Sequence, residues 1–293
     1  MASISVQTKK FADLTAITSA PDDAMLIIHD STGVKKISAK NLKADVTALI
    51  NTLTNNVNQI MFSGAGAHNS IYRGKSLGTS VTDAQWSAIK DGTFTDLYIG
   101  DYWTISNVVY RIAAFDYYLN QGDVNTTAHH VVVVPDTCLY NAFMNSTNTT
   151  AGAYLGSAMY KTGLTNAKTT IKAAFPSHIL SHKIYLNNTV ANGKPTAGTW
   201  TASEVDLMNQ QMVYGNNVNM PVSDGTTVPD VYRTDKTQLP LFMFEPSRIG
   251  NRQNWWLRDV ISSAFFATVG SSGGTNSSNA GDSLGVRPAF CIA

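Results

Sequence analysis

Histidines are the side chains of this sequence whose type and spacing come closest to metal or acid-base chemistry. His178 and His182 lie four residues apart, the spacing that places two imidazoles on one face of a helix and suits zinc. Pro176 precedes them and "HILSHKIYL" has the composition of a strand, so we do not predict a metal site there. His129 and His130 precede an apolar run, and adjacent side chains of a strand point to opposite faces. We therefore expect structural histidines, no metal and no cofactor.

The sequence also lacks the patterns of common catalytic sites. It contains no HExxH, P-loop or GxGxxG motif, and its only glutamates, Glu204 and Glu245, form no visible acid pair. Cys138 and Cys291 are far apart and have no CxxC spacing, which predicts two unpaired and mostly buried thiols. We expect a protein that is not an enzyme.

Composition limits the partners that this chain could have. Its 293 residues are 43% hydrophobic, enough for one main globular domain with a smaller appendage. The net charge is +1 and only 14% of residues are charged, so no basic surface is expected to bind nucleic acid. No apolar stretch is long enough to span a bilayer, and "MASISVQTKKFADL" lacks the apolar core of a signal peptide. We predict synthesis in the cytoplasm and no membrane insertion.

The first sixty residues predict a hairpin followed by a long helix. In "AMLIIHDSTGVKKIS" two apolar runs flank residues 30–33, which form a turn with Gly33 at a position that favours positive φ. Ser38 is placed to cap the helix that follows. Apolar residues then recur at spacings of four and three, at Val46, Ile50, Leu53, Val57 and Ile60.

This narrow apolar seam has two interpretations. The helix could lie on its own domain, or it could form a short parallel coiled coil. Because β-branched residues at seam positions favour more than two strands, a trimer is the specific prediction. The glycines of "MFSGAGAHNS" then predict a linker. Residues 1–62 would thus form an attachment and oligomerisation module with a helical stem, and residues 63–293 a ligand-binding domain.

The second module has mixed secondary-structure signals and is predicted to be α+β and rich in loops. A helix is expected between Thr82 and Gly92, two strands around a turn at residues 106–107, and a buried strand in "HHVVVVPD" that ends at Pro135. Helical periodicity also marks "GAYLGSAMYKTGLTNAKTTIKAAF" and "TASEVDLMNQQMVYG".

The last forty residues place a loop-like stretch between two dense segments. "GSSGGTNSSNAGDSL", residues 270–284, separates "NWWLRD" from "GVRPAFCIA". Large apolar side chains on both sides are expected to anchor its ends, because each buried one contributes roughly 1.5–3 kcal/mol. The loop would then be free to vary in sequence. The predicted structural anchors are Trp255, Trp256, Arg258, Arg287 and Phe290, and each arginine is expected to bridge to a carboxylate or a carbonyl.

These segments carry a resemblance. "NWWLRDV" and "GVRPAFCIA" resemble the end of the C-type-lectin-fold proteins of phage tails and of the variable proteins of diversity-generating retroelements. "WTISNVVYRIAAFDYYLNQGD", "HHVVVVPD" and "GAYLGSAMY" also resemble phage members of this group, so the similarity covers roughly residues 70–293. "LTAITSAPDDAMLIIHDSTGVKKISAKNL" resembles the particle-attachment modules that open many tail fibres. The resemblance implies a C-type-lectin-like (formylglycine-generating-enzyme-like) domain, although this chain has no acidic or Asn cluster like the calcium site of sugar-binding lectins.

The resemblance also implies a function. Retroelement variable proteins change their receptor-contacting residues by randomising adenines, which from asparagine codons never yields Lys, Glu, Gln, Met or Trp. These five types make up 38 of the 293 residues, yet the stretch from Asp259 to Leu284 contains none. An ordinary Gly/Ser/Asn surface loop would also exclude most of them.

We therefore expect a trimeric receptor-binding protein of the virion tail. It would attach to other tail proteins through its N-terminus and to a bacterial surface protein or glycan through its C-terminal surface. A structural baseplate or collar component is one alternative, and an oxidase of the formylglycine-generating type, with paired cysteines, is another. The predicted ligand-binding residues are Phe265, Phe266, Thr268, Ser271, Ser272, Thr275, Asn276, Ser278, Asn279 and Asp282.

Overall fold

A computed structural model describes residues 21–61, 64–216, 218 and 237–293. The chain divides into two compact units, Met1–Met61 and Phe62–Ala293. Residues 1–20, which include the start of the predicted attachment module, and residues 62–63 of the predicted linker lie outside the described residues. Within the described residues, no helix combines the length and the hydropathy needed to cross a bilayer.

The N-terminal unit is the predicted hairpin and helix. Strands β1 (Met25–Asp30) and β2 (Gly33–Ser38) pair antiparallel, with Asp30 opposite Gly33 across the turn. Helix α1 (Ala39–Met61) follows directly, and the Ser38 Oγ accepts a hydrogen bond from the Asn41 N–H at 3.2 Å. This bond satisfies one of the donors that every helix start leaves without a partner. The predicted hairpin, helix and Ser38 cap are thus confirmed.

The apolar seam of α1 is exposed in the single chain. The exposed fractions at Val46, Ile50, Leu53 and Val57 lie between 39% and 61%. The side chain of Ile60, the last seam position, lies outside the described residues. The described residues thus leave this apolar stripe exposed.

The second unit is mixed α/β and sheet-rich, with few and short helices. Its first sheet, here called the framework sheet, has the order β3-β4-β5-β14-β9 and is antiparallel throughout. The last strand of the chain lies inside this sheet and is fully buried. The strands are β3 (Tyr102–Ile105), β4 (Val108–Phe115), β5 (Val131–Pro135), β9 (Val205–Leu207) and β14 (Pro288–Ile292).

A second five-stranded sheet, here called the C-terminal sheet, has the order β12-β11-β10-β13-β6. Its β10–β13 pair is parallel and its other pairs are antiparallel. The strands are β6 (Tyr140–Ala142), β10 (Trp255–Val260), β11 (Phe265–Val269), β12 (Thr275–Asn279) and β13 (Leu284–Val286).

The described part of this unit also contains a two-stranded ribbon and short helices. The ribbon pairs β7 (His182–Ala191) with β8 (Lys194–Ser203). The α-helices are α2 (Ala65–His68), α3 (Asp83–Lys90), α4 (Thr165–Ala174), α5 (Gln210–Tyr214) and α6 (Pro240–Phe244), with a π-helix at Met159–Gly163 and a 3₁₀ turn at Pro246–Arg248.

Several local predictions are confirmed because local chemistry determined the conformation. Thr82 and Gln85 form a reciprocal capping box at the start of α3. Ser106 and Asn107 both have positive φ, at 50° and 63°, as a two-residue hairpin turn requires. All five residues of Val131–Pro135 are buried, as the uninterrupted apolar run predicts.

Three predictions of secondary structure are wrong. "TASEVDLMNQQMVYG" is not one helix: it contains the end of β8, all of β9, and α5, which is capped by the Asn209 side chain. Strand pairing over the ribbon overrides its helical periodicity. The predicted linker contains α2. The stretch 270–284 is not a loop throughout, because Thr275–Asn279 forms β12 and pairs in register with Phe265–Val269.

Candidate functional site

Two buried tryptophans of β10 anchor the C-terminal sheet. All six residues of β10 are buried, and neither Trp255 nor Trp256 has exposed surface. The Trp255 Nε1–H donates to the Ile249 carbonyl at 3.2 Å, and the Trp256 Nε1–H donates to the Ala142 carbonyl at 2.8 Å. Each indole therefore buries its ring without leaving its one donor unsatisfied. Phe290, on β14, is also buried and packs edge-on against Tyr110.

Arg287 is a fully buried cation that joins separate parts of the chain. Its Nε donates to the Pro135 carbonyl at 2.8 Å, and one terminal nitrogen donates to the carbonyls of Arg248 at 2.9 Å and Ile249 at 3.2 Å. The guanidinium also lies 5.1 Å from the ring centre of Trp255. Burial lowers the pKa of Arg287 to about 10, so it is still charged at neutral pH.

The second anchor arginine, Arg258, connects β10 to the framework sheet. It is 4% exposed, and its guanidinium donates to the Leu207 carbonyl of β9 at 3.1 Å. Its neighbour Asp259 accepts a hydrogen bond from the Gln210 N–H at 2.6 Å, at the start of α5. The expected contact of each arginine with a carbonyl is therefore confirmed, and both side chains are buried more deeply than a partly exposed bridge would be.

The glycine-rich turn between β11 and β12 is held by contacts from outside the hairpin. The Ser271 N–H donates to the Asn254 side chain at 2.8 Å, and the Ser271 carbonyl accepts from the Arg252 N–H at 2.9 Å. The Tyr214 hydroxyl donates to the Gly273 carbonyl at 3.1 Å. The polar residues of this turn are thus held by hydrogen bonds to their backbone groups rather than by burial of their side chains.

Strand β12 is the edge of the C-terminal sheet, and side chains cover part of that edge. The Ser277 N–H donates to the Asn276 side chain at 2.8 Å, and the Asn279 N–H donates to the Asp282 carboxylate at 3.0 Å. An open strand edge invites pairing with another chain, and capping its N–H groups discourages this. Asn276 and Asp282 therefore have a local structural role.

The predicted ligand-binding residues separate into exposed and buried groups. Phe266 and Thr268 have no exposed surface, so placing them on a ligand-binding surface is wrong. The prediction failed because β11 is buried on both faces and does not follow simple alternation. The exposed or partly exposed members are Phe265, Ser271, Ser272, Thr275, Asn276, Ser278, Asn279 and Asp282. These eight residues are here called the hairpin face.

A groove of about 450 Å³, which was not predicted from the sequence, lies beside the start of β11. The chain at residues 261–263, the chain at residues 149–151 and the turn of the β7–β8 ribbon form its walls. The missed signal was Asn192-Gly193, a dipeptide typical of tight hairpin turns. Recognising that turn would have located the ribbon but not the segments that it meets.

The histidines singled out in the sequence have separate surroundings. The ring of His178 stacks on Trp86, with centroids 3.6 Å apart, and one of its ring nitrogens lies 2.8 Å from the Ala293 carbonyl oxygen. His182 begins β7 and is 6% exposed, so the two do not share a helical face. A ring nitrogen of His129 lies 2.7 Å from the Asp116 carboxylate, and the His130 ring accepts from the Tyr118 N–H.

Among the described residues, no three His, Cys, Asp or Glu side chains cluster as a metal site would require. Neither cysteine forms a disulfide, as predicted. Cys138 is partly buried and accepts a hydrogen bond from the Asn251 amide at 3.1 Å, while Cys291 is buried within β14. Burial raises the pKa of the Cys138 thiol, which makes it a poor nucleophile.

Most of the second unit matches a known family model. Residues 101–293 match a family model described as "Domain of unknown function (DUF6273)". The matched region includes every strand of the framework and C-terminal sheets. Neither the curated proteins nor the solved structures contain a significant match to this chain.

Proposed function

The chain belongs to the DUF6273 family, and we propose that it is a receptor-binding protein of a phage tail. In this proposal the hairpin face binds a ligand on a bacterial surface. The remainder of the second unit is the scaffold that holds this face, and it has no catalytic role.

One observation carries the proposal, namely the contrast in burial within the C-terminal sheet. Every residue of β10 and β14 is buried, whereas β12 presents only Thr, Asn and Ser side chains that are exposed or partly exposed. The core does not depend on these small side chains, so most of them can change at little cost to the fold, and Asn276 is the member that also covers the strand edge. Fixed anchors around a changeable surface are the arrangement that a diversified binding protein needs.

We further propose that the second unit has a C-type-lectin-like fold of the formylglycine-generating-enzyme type. The position of β14 supports this, because the final strand returns to the interior of the framework sheet beside β5. Long connections between short strands, and the buried "WWLR" and "GVRPAF" segments, also support it.

The first unit would supply attachment and assembly. We propose that α1 joins three copies of the chain along its seam, and that the N-terminus attaches to other proteins of the tail. The exposed apolar side chains at Val46, Ile50, Leu53 and Val57 support this role. The protein would then be located in the virion.

Sequencing the 3′ end of the gene across related phages tests the proposal. Substitutions should concentrate at codons of the hairpin face, while Phe266, Thr268 and the anchors stay unchanged. An adenine-rich second copy of this segment beside a reverse transcriptase gene would identify the mechanism of variation. If the hairpin face is as constant as β10, a structural baseplate or collar component becomes the better interpretation.

A further inference from the structure

We propose that the groove beside the start of β11 is a binding site for an anionic saccharide. The site lies outside the hairpin face, and most of its residues precede β10 in the sequence. It therefore adds a second ligand contact to the function proposed above and does not depend on variation of the hairpin.

The walls of the groove offer hydroxyl and amide groups to a ligand. The Ser263 hydroxyl and the Asn192 amide are exposed, and neither side chain makes a hydrogen bond to another described residue. The Thr149 hydroxyl accepts from the Ala151 N–H at 3.2 Å and keeps its own proton to donate. Hydroxyl and amide groups both donate and accept, which matches the alternating donors and acceptors of a sugar.

A single charged side chain sets the preferred charge of the ligand. Lys194 is the one charged residue among those that line the groove, and it is exposed. Its ammonium group forms no ion pair with any residue that the structure describes. A cation that no nearby carboxylate neutralises attracts an anionic group, and charge-assisted hydrogen bonds are the stronger ones.

The groove is held open by a close backbone contact. Gly193 has φ +73°, and a Cβ at this position would lie 3.0 Å from the Ser263 backbone nitrogen. Glycine has no side chain and adopts a positive φ without strain. Gly193 therefore allows the backbone of the ribbon turn to contact the backbone of the opposite wall at Ser263. Thr150 fixes that wall, because its N–H donates to the Ser263 carbonyl at 3.0 Å and its hydroxyl donates to the Ser262 carbonyl at 2.7 Å.

The size and the remaining lining fit a short saccharide. The volume of about 450 Å³ falls within the range of small-molecule sites, about 300–1,000 Å³. Val190 and Ile261 add apolar surface against which the C–H faces of a sugar ring would pack. A site that is already formed loses little conformational entropy when the ligand binds.

Calorimetric titration of the full chain with trigalacturonate, maltotriose and inorganic phosphate tests the proposal. Trigalacturonate should bind saturably, whereas maltotriose, which lacks the charge, and phosphate, which lacks the sugar, should each bind at least about tenfold more weakly. Lys194→Ala should weaken trigalacturonate binding about tenfold. Lys161→Ala removes another exposed lysine, which lies outside the groove, and should leave binding unchanged.

A second variant tests the shape of the groove. Gly193→Ala should also weaken trigalacturonate binding, with circular dichroism confirming the fold. The proposal is wrong if trigalacturonate does not bind, if maltotriose or phosphate binds as tightly, or if the two lysine variants behave alike. Adsorption of hairpin-face variants to cells is a separate readout, so failure here would leave the proposed function standing.

Discussion

At the scale of single residues, the anchors of the C-terminal sheet were predictable and the ligand contacts were predictable only in part. Trp255, Trp256 and Phe290 are large and apolar, so burial follows from their chemistry. Phe266 and Thr268 were misplaced because their burial depends on what covers each face of β11. That covering comes from distant parts of the chain, and no local pattern encodes it.

Replacing the buried cation Arg287 should destabilise the protein strongly. Arg287→Met would leave the carbonyls of Pro135, Arg248 and Ile249 without these donors, and we expect a loss of about 3 kcal/mol or more in the free energy of unfolding. Urea denaturation measures this loss. Lys161→Met, an exposed control, should change stability by less than about 0.5 kcal/mol. Similar effects for the two variants would contradict the role assigned to Arg287.

Acid should destabilise the fold through His182. Burial lowers the pKa of His182 to about 3, below the value of 6.5 for a free histidine. Between these two pKa values the unfolded chain binds a proton at His182 that the folded chain does not. The contribution of neutral His182 to the free energy of unfolding is therefore fully present above pH 6.5 and is lost as the pH falls below that value. The loss from this one group is up to about 1.4 kcal/mol per pH unit.

His182→Phe should reduce that pH dependence. Phenylalanine keeps the ring contact with Tyr118, whose centroid lies 4.0 Å from that of His182. Denaturation at pH 7, 6 and 5 would measure the slope before most carboxylates titrate. Equal slopes for the wild type and the variant would show that His182 does not bind its proton differently in the two states.

At the scale of elements, the sequence predicted the helices, strands and turns whose conformation is determined by neighbouring residues. The Thr82 capping box and the turn at residues 106–107 depend on a few neighbouring residues. β12 was missed because its pairing is specified by a partner strand rather than by its own composition, whereas the β7–β8 ribbon was missed although its Asn192-Gly193 turn is a local signal. β12 is the clearest case, since Thr275–Asn279 contains no apolar side chain.

Gly198→Ala should weaken the β7–β8 ribbon. A Cβ at Gly198 would lie 2.4 Å from the Tyr185 ring and 2.7 Å from the Leu186 carbonyl, so the ring and the backbone would both have to move. We expect a loss of about 1–3 kcal/mol, measured by urea denaturation. Gly274→Ala is the matched control, because no atom lies within 4 Å of its added Cβ. Equal losses of stability in the two variants would mean that the close packing of the Tyr185 ring on Gly198 does not stabilise the ribbon.

At the scale of the whole molecule, the two units have different surfaces. The second unit buries most of its described large apolar side chains in one extensive core, whereas α1 exposes a row of them. The sequence predicted this helix and its seam, because a spacing of four and three residues is a local pattern. The partner of the seam could not be read from one chain, so the trimer stays a prediction.

The full chain should be a trimer at micromolar concentration. Burying the seam side chains of three α1 helices against each other removes apolar surface from water. Multi-angle light scattering measures the mass. Ile50→Asn should dissociate the trimer, whereas Thr47→Asn, outside the seam, should not. A monomeric wild-type protein would contradict the role of α1.

The most direct test of the account is adsorption of the Phe265→Ala protein to host bacteria, measured together with its melting temperature. Phe265 is the aromatic member of the hairpin face, and aromatic side chains often carry much of a binding energy. We predict that adsorption falls at least about tenfold while the fold stays intact. Phe266→Ala, the buried neighbour, should instead lower stability by about 3–5 kcal/mol. Unchanged adsorption in folded Phe265→Ala, and in alanine variants of the other hairpin-face residues, would place the receptor site elsewhere.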